Sequence, residues 1–310
     1  MQNNKALNAP IAYISACNAD YSVFEGIKMT DNKIITMTQL LTNSSLGLAA
    51  AYIQSVTDNQ AFYQKSVSGS KMSMISMIKG KIKILSNSQI YRQPDFIASF
   101  ESEVIVQDSE IYDIDLEASH IVFHLLSSRF SMSGTTIENI DCITRDESIF
   151  QVRLESTFNT LSSNIENSTC QVAFLLYSDA DISTLLVKDI NTHELIIEAV
   201  ESTIKFDEAE FDDITTTQDY MIKVENSALL QVIDSSFIKA NKDYFYITGS
   251  TVQMTDSSFE SDMVSKRRGV VLLESVATFN TTSFFGFTIE GPGAAIYSES
   301  SNTKIYECDF

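Results

Sequence analysis

The sequence predicts an all-β protein, a right-handed parallel β-helix (a solenoid) of about 10–12 coils with about 21–28 residues in each coil. Three observations lead to this prediction. One apolar residue recurs at a regular interval, and short runs of alternating apolar and polar residues precede it. No stretch of about 10 or more residues keeps the period of about 3.6 residues that a helix requires. Without helices βαβ crossovers are excluded, so short strands and turns must form stacked coils.

The recurring apolar residue, which we call the anchor, is phenylalanine or isoleucine in ten copies. The ten anchors are Ile90, Ile111, Ile137, Ile165, Ile190, Phe211, Phe237, Phe259, Phe284 and Phe310, at spacings of 21, 26, 28, 25, 21, 26, 22, 25 and 26 residues. Nine positions before the anchor, seven of the ten copies have serine, and the exceptions are Lys81, Asp181 and Ala228. A two-sheet β-sandwich also has short, evenly spaced strands, but a serine at a fixed distance before each anchor has no place in it.

Two strands are predicted before each anchor. The nearer one alternates between apolar and polar residues, as in TVQMT at 251–255, which is typical of a strand with one buried face. The earlier one is rich in β-branched and aromatic residues, as in IVFHLL at 121–126, YMIKV at 220–224 and YFYI at 244–247.

Equivalent positions of successive coils should lie about 4.8 Å apart. We therefore expect the anchors to form a column in the core, and the serine and threonine columns to form hydroxyl ladders or to satisfy backbone groups in turns. Glycine is scarce, at 10 residues, so Asn, Asp and Ser are expected to form the turns.

The repeat divides the chain into two parts. Residues 1–80 are expected to form irregular or degenerate coils, whereas residues 81–310 form the regular β-helix. The N-terminus lacks the features of a signal peptide, and the last residue is an anchor with no polar capping coil after it. These features predict an internal piece of a longer protein whose β-helix continues beyond residue 310.

Two of the four cysteines test this coil spacing. Cys142 and Cys170 lie 28 residues apart, the spacing of the anchors Ile137 and Ile165, and each follows its anchor by five residues. The helix therefore places them on adjacent coils, within the Cα separation of about 4.4–6.8 Å that a disulfide requires. We predict a Cys142–Cys170 disulfide, and the alternative is two buried thiols. No partner is predicted for Cys17 or Cys308.

The net charge of the chain limits the classes of partner that it can bind. The formal net charge is −20, which opposes binding to nucleic acid and to anionic membranes. The one dense basic cluster, Lys266-Arg267-Arg268, is expected to be a solvated turn.

No apolar run approaches the 18 residues or so of a membrane-spanning helix, so we expect no membrane insertion of this segment. No cofactor is predicted, because the chain has no P-loop or dinucleotide-binding motif.

An acidic column is the main candidate for chemistry. Glu208, Asp234 and Asp256 each lie three residues before an anchor on consecutive coils. Carboxylates about 5 Å apart can hold Ca²⁺ or act as an acid and base pair. The alternative is that they are solvated turn residues, and turn chemistry alone selects these residue types. No catalytic or metal-binding residue is assigned.

Histidines and glycosylation sequons give weaker signals. His120 and His124 bracket a predicted strand rather than a helix, and no glutamate follows His120, so they lack the pattern of a zinc protease. Both are expected to be structural. Sequons at Asn43, Asn167 and Asn280 are candidate glycosylation sites.

Residues 291–310 (GPGAAIYSESSNTKIYECDF), and less sharply 244–259, resemble the repeat of polymorphic outer membrane proteins and adhesin-type β-helix proteins. Gly293, Ala295, Ile296, Ser301 and Phe310 match that repeat, but Pro292 replaces a turn glycine and the other coils lack the Gly-Gly pair. The resemblance covers residues 81–310 and implies membership of the pectin-lyase-like superfamily. Together with the Ser/Asn/Gln-rich composition, it points to a surface protein of a protist such as a ciliate.

The resemblance implies a function as well as a fold. We expect a non-catalytic structural protein, not an enzyme: a fragment of a large extracellular or cell-surface scaffold, adhesin or filament. Its expected partners are other protein chains, further coils of the same protein and surface glycans. The alternatives are a carbohydrate-active enzyme (a polysaccharide lyase or hydrolase) and a glycan-binding module, both using Glu208, Asp234 and Asp256. Aromatic side chains clustered beside these three acids would favour the two alternatives.

Overall fold

Parallel strands stack into a right-handed β-solenoid in the computed structural model of the chain. The structure describes residues 96–116, 121–142, 147–227, 229–261, 267–287, 289 and 293–310, and before residue 96 it describes only strands. Within these residues every strand pairing is parallel and no helix occurs. The predicted fold class is confirmed.

Each regular coil contributes strands to two sheets. Sheet 1 has 11 strands: Ala12–Ser15, Ile75–Ile78, Ile97–Phe100, Ile121–Leu126, Ser148–Arg153, Gln171–Leu176, Ile197–Val200, Tyr220–Glu225, Asp243–Thr248, Val270–Leu273 and Ile296–Glu299. The chain makes eight full turns between the third of these strands and the last.

Sheet 2 has 19 strands in two rows. Row A consists of Ser22–Glu25, Lys81–Leu85, Glu103–Gln107, Arg129–Ser133, Thr203–Asp207, Leu229–Ile233, Thr251–Thr255, Val276–Asn280 and Asn302–Tyr306. Row B consists of Lys28–Thr30, Gln89–Tyr91, Glu110–Leu116, Thr136–Cys142, Glu210–Thr216, Ser236–Ala240, Ser258–Glu260 and Ser283–Phe285. Two longer strands, Thr157–Ser168 and Asp179–Thr192, continue through both rows and join them. A separate two-stranded sheet pairs Lys5–Ala6 with Lys33–Ile34.

The backbone turns at three corners of the coil, each with a residue of positive φ. The first corner, between sheet 1 and row A, has Glu101, Ser127, Glu155, Tyr177, Glu201, Asn226, Gly249, Glu274 and Ser300. The second, between rows A and B, has Asp108, Gly134, Ser162, Thr184, Glu208, Asp234, Asp256, Thr281 and Glu307. The third, within row B, has Asp113, Asn139, Asn167, Asp189, Asp213 and Lys239. Asn, Asp and Ser, the residues expected to form the turns, occupy 12 of these 24 positions, and Glu occupies six others.

The anchors form a column inside the solenoid. From Phe211 to Phe284 the anchor rings are buried, and successive rings stack with centroids 4.9–5.0 Å apart. Phe310 continues the stack at 5.6 Å from Phe284. One predicted anchor is wrong: Val187, and not Ile190, is the register partner of Ile165 and Phe211. Ile190 lies three residues further on, in a second buried column with Ile214.

The serine column forms a hydrogen-bond ladder at the first corner. The hydroxyl of Ser250 accepts a hydrogen bond from the N–H of Ser227 at 3.0 Å and donates to the carbonyl of Thr248 at 2.8 Å. The same pattern recurs at Ser128, Ser202 and Ser275. With Val187 as anchor, Ser178 replaces the apparent exception Asp181, and it belongs to the ladder. Each of these bonds joins a serine hydroxyl to a backbone group, so of the two expected arrangements the structure shows the one in which the hydroxyls satisfy backbone groups in turns.

The predicted disulfide is also confirmed. Cys142 and Cys170 are bonded, with Cα atoms 5.0 Å apart, and Cys170 is fully buried. The disulfide indicates that the chain folds outside the cytosol, in an oxidising compartment. Cys308 is a half-exposed free thiol whose Sγ donates to the carbonyl of Tyr306, and Cys17 lies outside the described residues.

Among the described residues no helix is long and apolar enough to cross a membrane.

Candidate functional site

The acidic column lies at the second corner of three consecutive coils. Glu208, Asp234 and Asp256 are exposed, with φ values of 52°, 46° and 51°. Their backbone N–H groups donate to carbonyls of the following coil, at Ile233, Thr255 and Asn280. Each residue therefore forms a turn. Its role in chemistry stays a prediction, and no group of three or more potential metal ligands occurs among the described residues.

Aromatic and charged side chains cluster instead on the outward face of sheet 1. The strands Tyr220–Glu225 and Asp243–Thr248 share one burial pattern, in which two consecutive buried residues follow the first. Because of this doubling, Tyr220 and Lys223 face outward in the first strand, and Asp243 and Tyr246 do so in the second. We call the outward-facing Glu198, Tyr220, Lys223, Glu225, Asp243, Tyr246, Arg268 and Tyr297 the tyrosine face.

Two stacked tyrosines form the centre of the tyrosine face. The rings of Tyr220 and Tyr246 lie 4.3 Å apart with an angle of 27° between their planes. Both residues are half-buried, so part of each side chain remains open to solvent. Burial raises the pKa of Tyr220, and so do the neighbouring Tyr246, Asp219 and Asp243. Stacking on a partner ring holds each tyrosine in place and leaves its hydroxyl group for polar contacts.

Lys223 connects two glutamates beside this pair. Its Nζ lies 3.0 Å from a carboxylate oxygen of Glu225 and 3.5 Å from one of Glu198 on the preceding coil. Burial alone would lower the pKa of Lys223, but the hydrogen bond to Glu225 and the charges of both glutamates raise it overall. The three side chains are 26–30% exposed, so both carboxylates remain accessible to a ligand.

Asp243 is held by Arg268 on the following coil. The backbone N–H of Arg268 donates to Oδ1 of Asp243 at 2.7 Å, and a guanidinium nitrogen lies 3.7 Å from Oδ2. Burial raises the pKa of Asp243; the hydrogen bond and charge of Arg268 oppose this rise, and the negative charge of Asp219 adds to it. The Asp243 side chain keeps 16% of its surface exposed.

Arg268 also completes the face toward the C-terminus. Its guanidinium lies over the ring of Tyr297, 5.0 Å from the centroid, and the hydroxyl of Tyr297 donates to Glu299 at 2.7 Å.

The expectation that the basic cluster Lys266-Arg267-Arg268 is a solvated turn is wrong for two of its residues. Arg267 is 3% exposed and Arg268 is paired, whereas Lys266 lies outside the described residues.

No residue of the tyrosine face was assigned a functional role from the sequence. Aromatic side chains clustered beside Glu208, Asp234 and Asp256 would have favoured the glycan alternatives, whereas the cluster described here lies on sheet 1. The available signal was the earlier strand of each coil, where YMIKV and YFYI place aromatic and charged residues at outward positions.

The glycosylation sequons stay predictions. Asn167 is exposed at the third corner, and Asn280 is half-buried at the end of its strand. Asn43 lies outside the described residues.

Comparisons with known proteins show a similarity to a solved structure. No protein-family model and no curated protein matches this chain. Among solved structures it is similar to the catalytic domain of a GH87 α-1,3-glucanase in complex with nigerose, at 8% sequence identity and a TM-score of 0.36. The match covers 99% of this chain and 63% of that one, so this chain spans less than two thirds of that structure.

This match corrects one expectation. The matching structure is a catalytic domain, which contradicts the expectation that this chain is not an enzyme, and that expectation is withdrawn. A likeness at this level assigns neither a reaction nor a substrate to the chain.

Proposed function

We propose that this chain is a carbohydrate-binding β-solenoid that holds a glycan along its tyrosine face. The observation that carries the proposal is the half-buried stack of Tyr220 and Tyr246, 4.3 Å apart, with the carboxylates of Asp219 and Asp243 near enough for their charge to act on Tyr220. A tyrosine ring offers a flat apolar surface to the C–H face of a sugar, and carboxylates accept hydrogen bonds from sugar hydroxyls.

The spacing of the solenoid suits an extended glycan. Glu198, Lys223, Tyr246 and Tyr297 occupy equivalent outward positions on successive coils, with Val271 between the last two. Such positions recur about every 4.8 Å, close to the length of one sugar unit. In a glycan that lies parallel to the solenoid axis, each sugar unit would therefore contact one side chain of this row.

An extracellular or cell-surface location belongs to the same proposal. The disulfide supports passage through an oxidising compartment, and the adhesin-type repeat implies a surface protein of a protist. In that setting the partners are surface glycans, other protein chains or further coils of the same protein.

Replacing Tyr246 tests the binding proposal. We expect the protein to bind members of an array of neutral oligosaccharides, and Tyr246→Ala to weaken the tightest of these by at least about tenfold, because a buried tyrosine contact contributes about 2 kcal/mol. Isothermal titration calorimetry gives the dissociation constants.

The matched control is Tyr306→Ala, because Tyr306 is 51% exposed but lies on row A. This variant should bind like the wild type. Absence of binding across the array, or equal binding by Tyr246→Ala and the wild type, would refute the proposal.

A second candidate function is hydrolysis of the bound glycan. The observation that favours it is Asp243, whose raised pKa extends the pH range in which its carboxyl carries a proton. A protonated carboxyl can serve as the general acid that protonates a glycosidic oxygen, and a second carboxylate then acts as base or nucleophile. Asp219, whose charge acts on Asp243, is the candidate for that second role.

Asp243→Asn tests hydrolysis against the acidic column. We expect release of reducing ends from a bound oligosaccharide to fall by about 100-fold or more, the usual contribution of a general acid. Asp234→Asn, in the acidic column, should leave the rate unchanged. The reverse result would assign the chemistry to Glu208, Asp234 and Asp256, and a wild-type protein that cleaves none of its ligands would exclude hydrolysis but not binding.

A further inference from the structure

A second polar cluster lies on the outward face of sheet 1, on the two coils that are three and four coils before Tyr220. His124 and Gln151 are register partners on adjacent coils, and Arg153 lies two residues after Gln151 on the same face. Phe123 and Leu125, the neighbours of His124 in the strand, belong to the hydrophobic core, but His124 does not. His124 is nevertheless only 4% exposed. Arg153 is half-buried, with its guanidinium over the ring of Phe174 at 5.1 Å.

Three buried polar atoms of this cluster have no hydrogen-bond partner. They are Nε2 of His124, Oε1 of Gln151 and Nε of Arg153. Buried polar atoms are nearly always paired, so three unpaired atoms on adjacent positions indicate a site whose ligand completes their hydrogen bonds.

The charge of the cluster defines the ligand. Within the described part of the chain Arg153 forms no ion pair, although the sequence has 41 acidic side chains and a net charge of −20. A partly buried cation without a counter-charge is costly. Among the described residues, His124 also has no negative charge to offset its surroundings: burial, and secondly the positive charge of Arg153, lower the pKa of His124 to about 4. An anion would relieve both effects.

We infer that His124, Gln151 and Arg153 form a binding site for one oxyanion, a sulfate, phosphate or carboxylate group. The Nε–H of Arg153 donates to it, and the guanidinium supplies the opposite charge. Rotation of the Gln151 amide by about 180° presents its NH₂ group in place of Oε1. Neutral His124 donates through Nε2 in the tautomer that has its proton there.

Histidine NMR tests this site directly, because the chain has only three histidines. We expect inorganic sulfate, titrated against chloride at constant ionic strength, to shift the His124 resonances in a saturable way and to raise the pKa of His124 from about 4 toward 6.5. Arg153→Gln should abolish the saturable shift. Arg129→Gln should retain it, because Arg129 is exposed on row A.

Two results would overturn the inference: no saturable shift in the wild type, or the same shift in Arg153→Gln. If Arg153→Gln fails to fold, Arg153→Lys keeps the charge but loses the guanidinium, and it should bind sulfate at least about tenfold more weakly. Binding by Arg153→Lys equal to that of the wild type would also count against the site.

The source of the oxyanion is decided by comparing free ions with acidic oligosaccharides. If the group is a substituent of a glycan, a step that rests on the proposed function, a sulfated or carboxylated oligosaccharide should bind at least about tenfold more tightly than the free ion. Tyr246→Ala should remove this gain and leave sulfate binding intact. Equal affinities would assign the site to a free ion. Neutral-glycan binding without a sulfate response would refute the oxyanion site alone, and the reverse would refute the proposed function alone.

Discussion

A double variant, Cys142→Ser and Cys170→Ser, should lose about 3.5 kcal/mol of unfolding free energy. The disulfide closes a loop of 28 residues, and the loop-entropy relation gives a value of this size for a cross-link of that length. It also ties two neighbouring coils together, and in a solenoid each coil is stabilised mainly by its neighbours. Urea unfolding monitored by circular dichroism measures the change.

Cys308→Ser is the matched control. Cys308 is half-exposed, and its Sγ already donates to a carbonyl two residues back, as the ladder serines do. Serine should therefore fit there with a change within about 0.5 kcal/mol, the usual range for a surface substitution. Equal stabilities of the double variant and the wild type would mean that the bond does not form in the folded protein.

The features that could be predicted from the sequence are those that recur at equivalent positions of successive coils. A disulfide between residues 28 positions apart, a ladder of serines and a column of phenylalanines all follow from one rule, that equivalent residues lie above one another. The rule failed at Ile190 because row B has two buried apolar columns three residues apart, and spacing alone cannot tell them apart. The serine position does distinguish them, since only Val187 places Ser178 in the ladder.

The tyrosine face could not be predicted in the same way, because it does not repeat. Tyr220, Asp243 and Arg268 are unlike residues on three successive coils, and they meet only when the register of sheet 1 is known. Two consecutive buried residues in each strand also break the simple alternation that identifies an outward position. The acidic column was visible in the sequence because it marks a corner that does recur.

Phe237→Ala should have the largest effect on stability, a loss of about 3–5 kcal/mol. The Phe237 ring is fully buried and stacks between Phe211 and Phe259, with both centroids 5.0 Å away. Phe245 contacts it edge-on at 5.0 Å from the neighbouring sheet. Truncation opens a cavity that rigid neighbouring coils cannot close, so the lost contacts are not replaced. Urea unfolding gives the size of the loss.

Two further variants separate burial from ring stacking. Phe285→Ala removes a ring that is 61% exposed one residue after an anchor, and it should change stability by no more than about 0.5 kcal/mol. Phe237→Leu keeps most of the volume, and the buried anchors Ile137 and Ile165 show that aliphatic residues fit the column, so we expect a loss of about 1.5 kcal/mol. A loss for Phe237→Leu as large as that for Phe237→Ala would show that the stacked rings themselves stabilise the column. Equal stabilities of Phe237→Ala and Phe285→Ala would instead contradict the register on which the core is built.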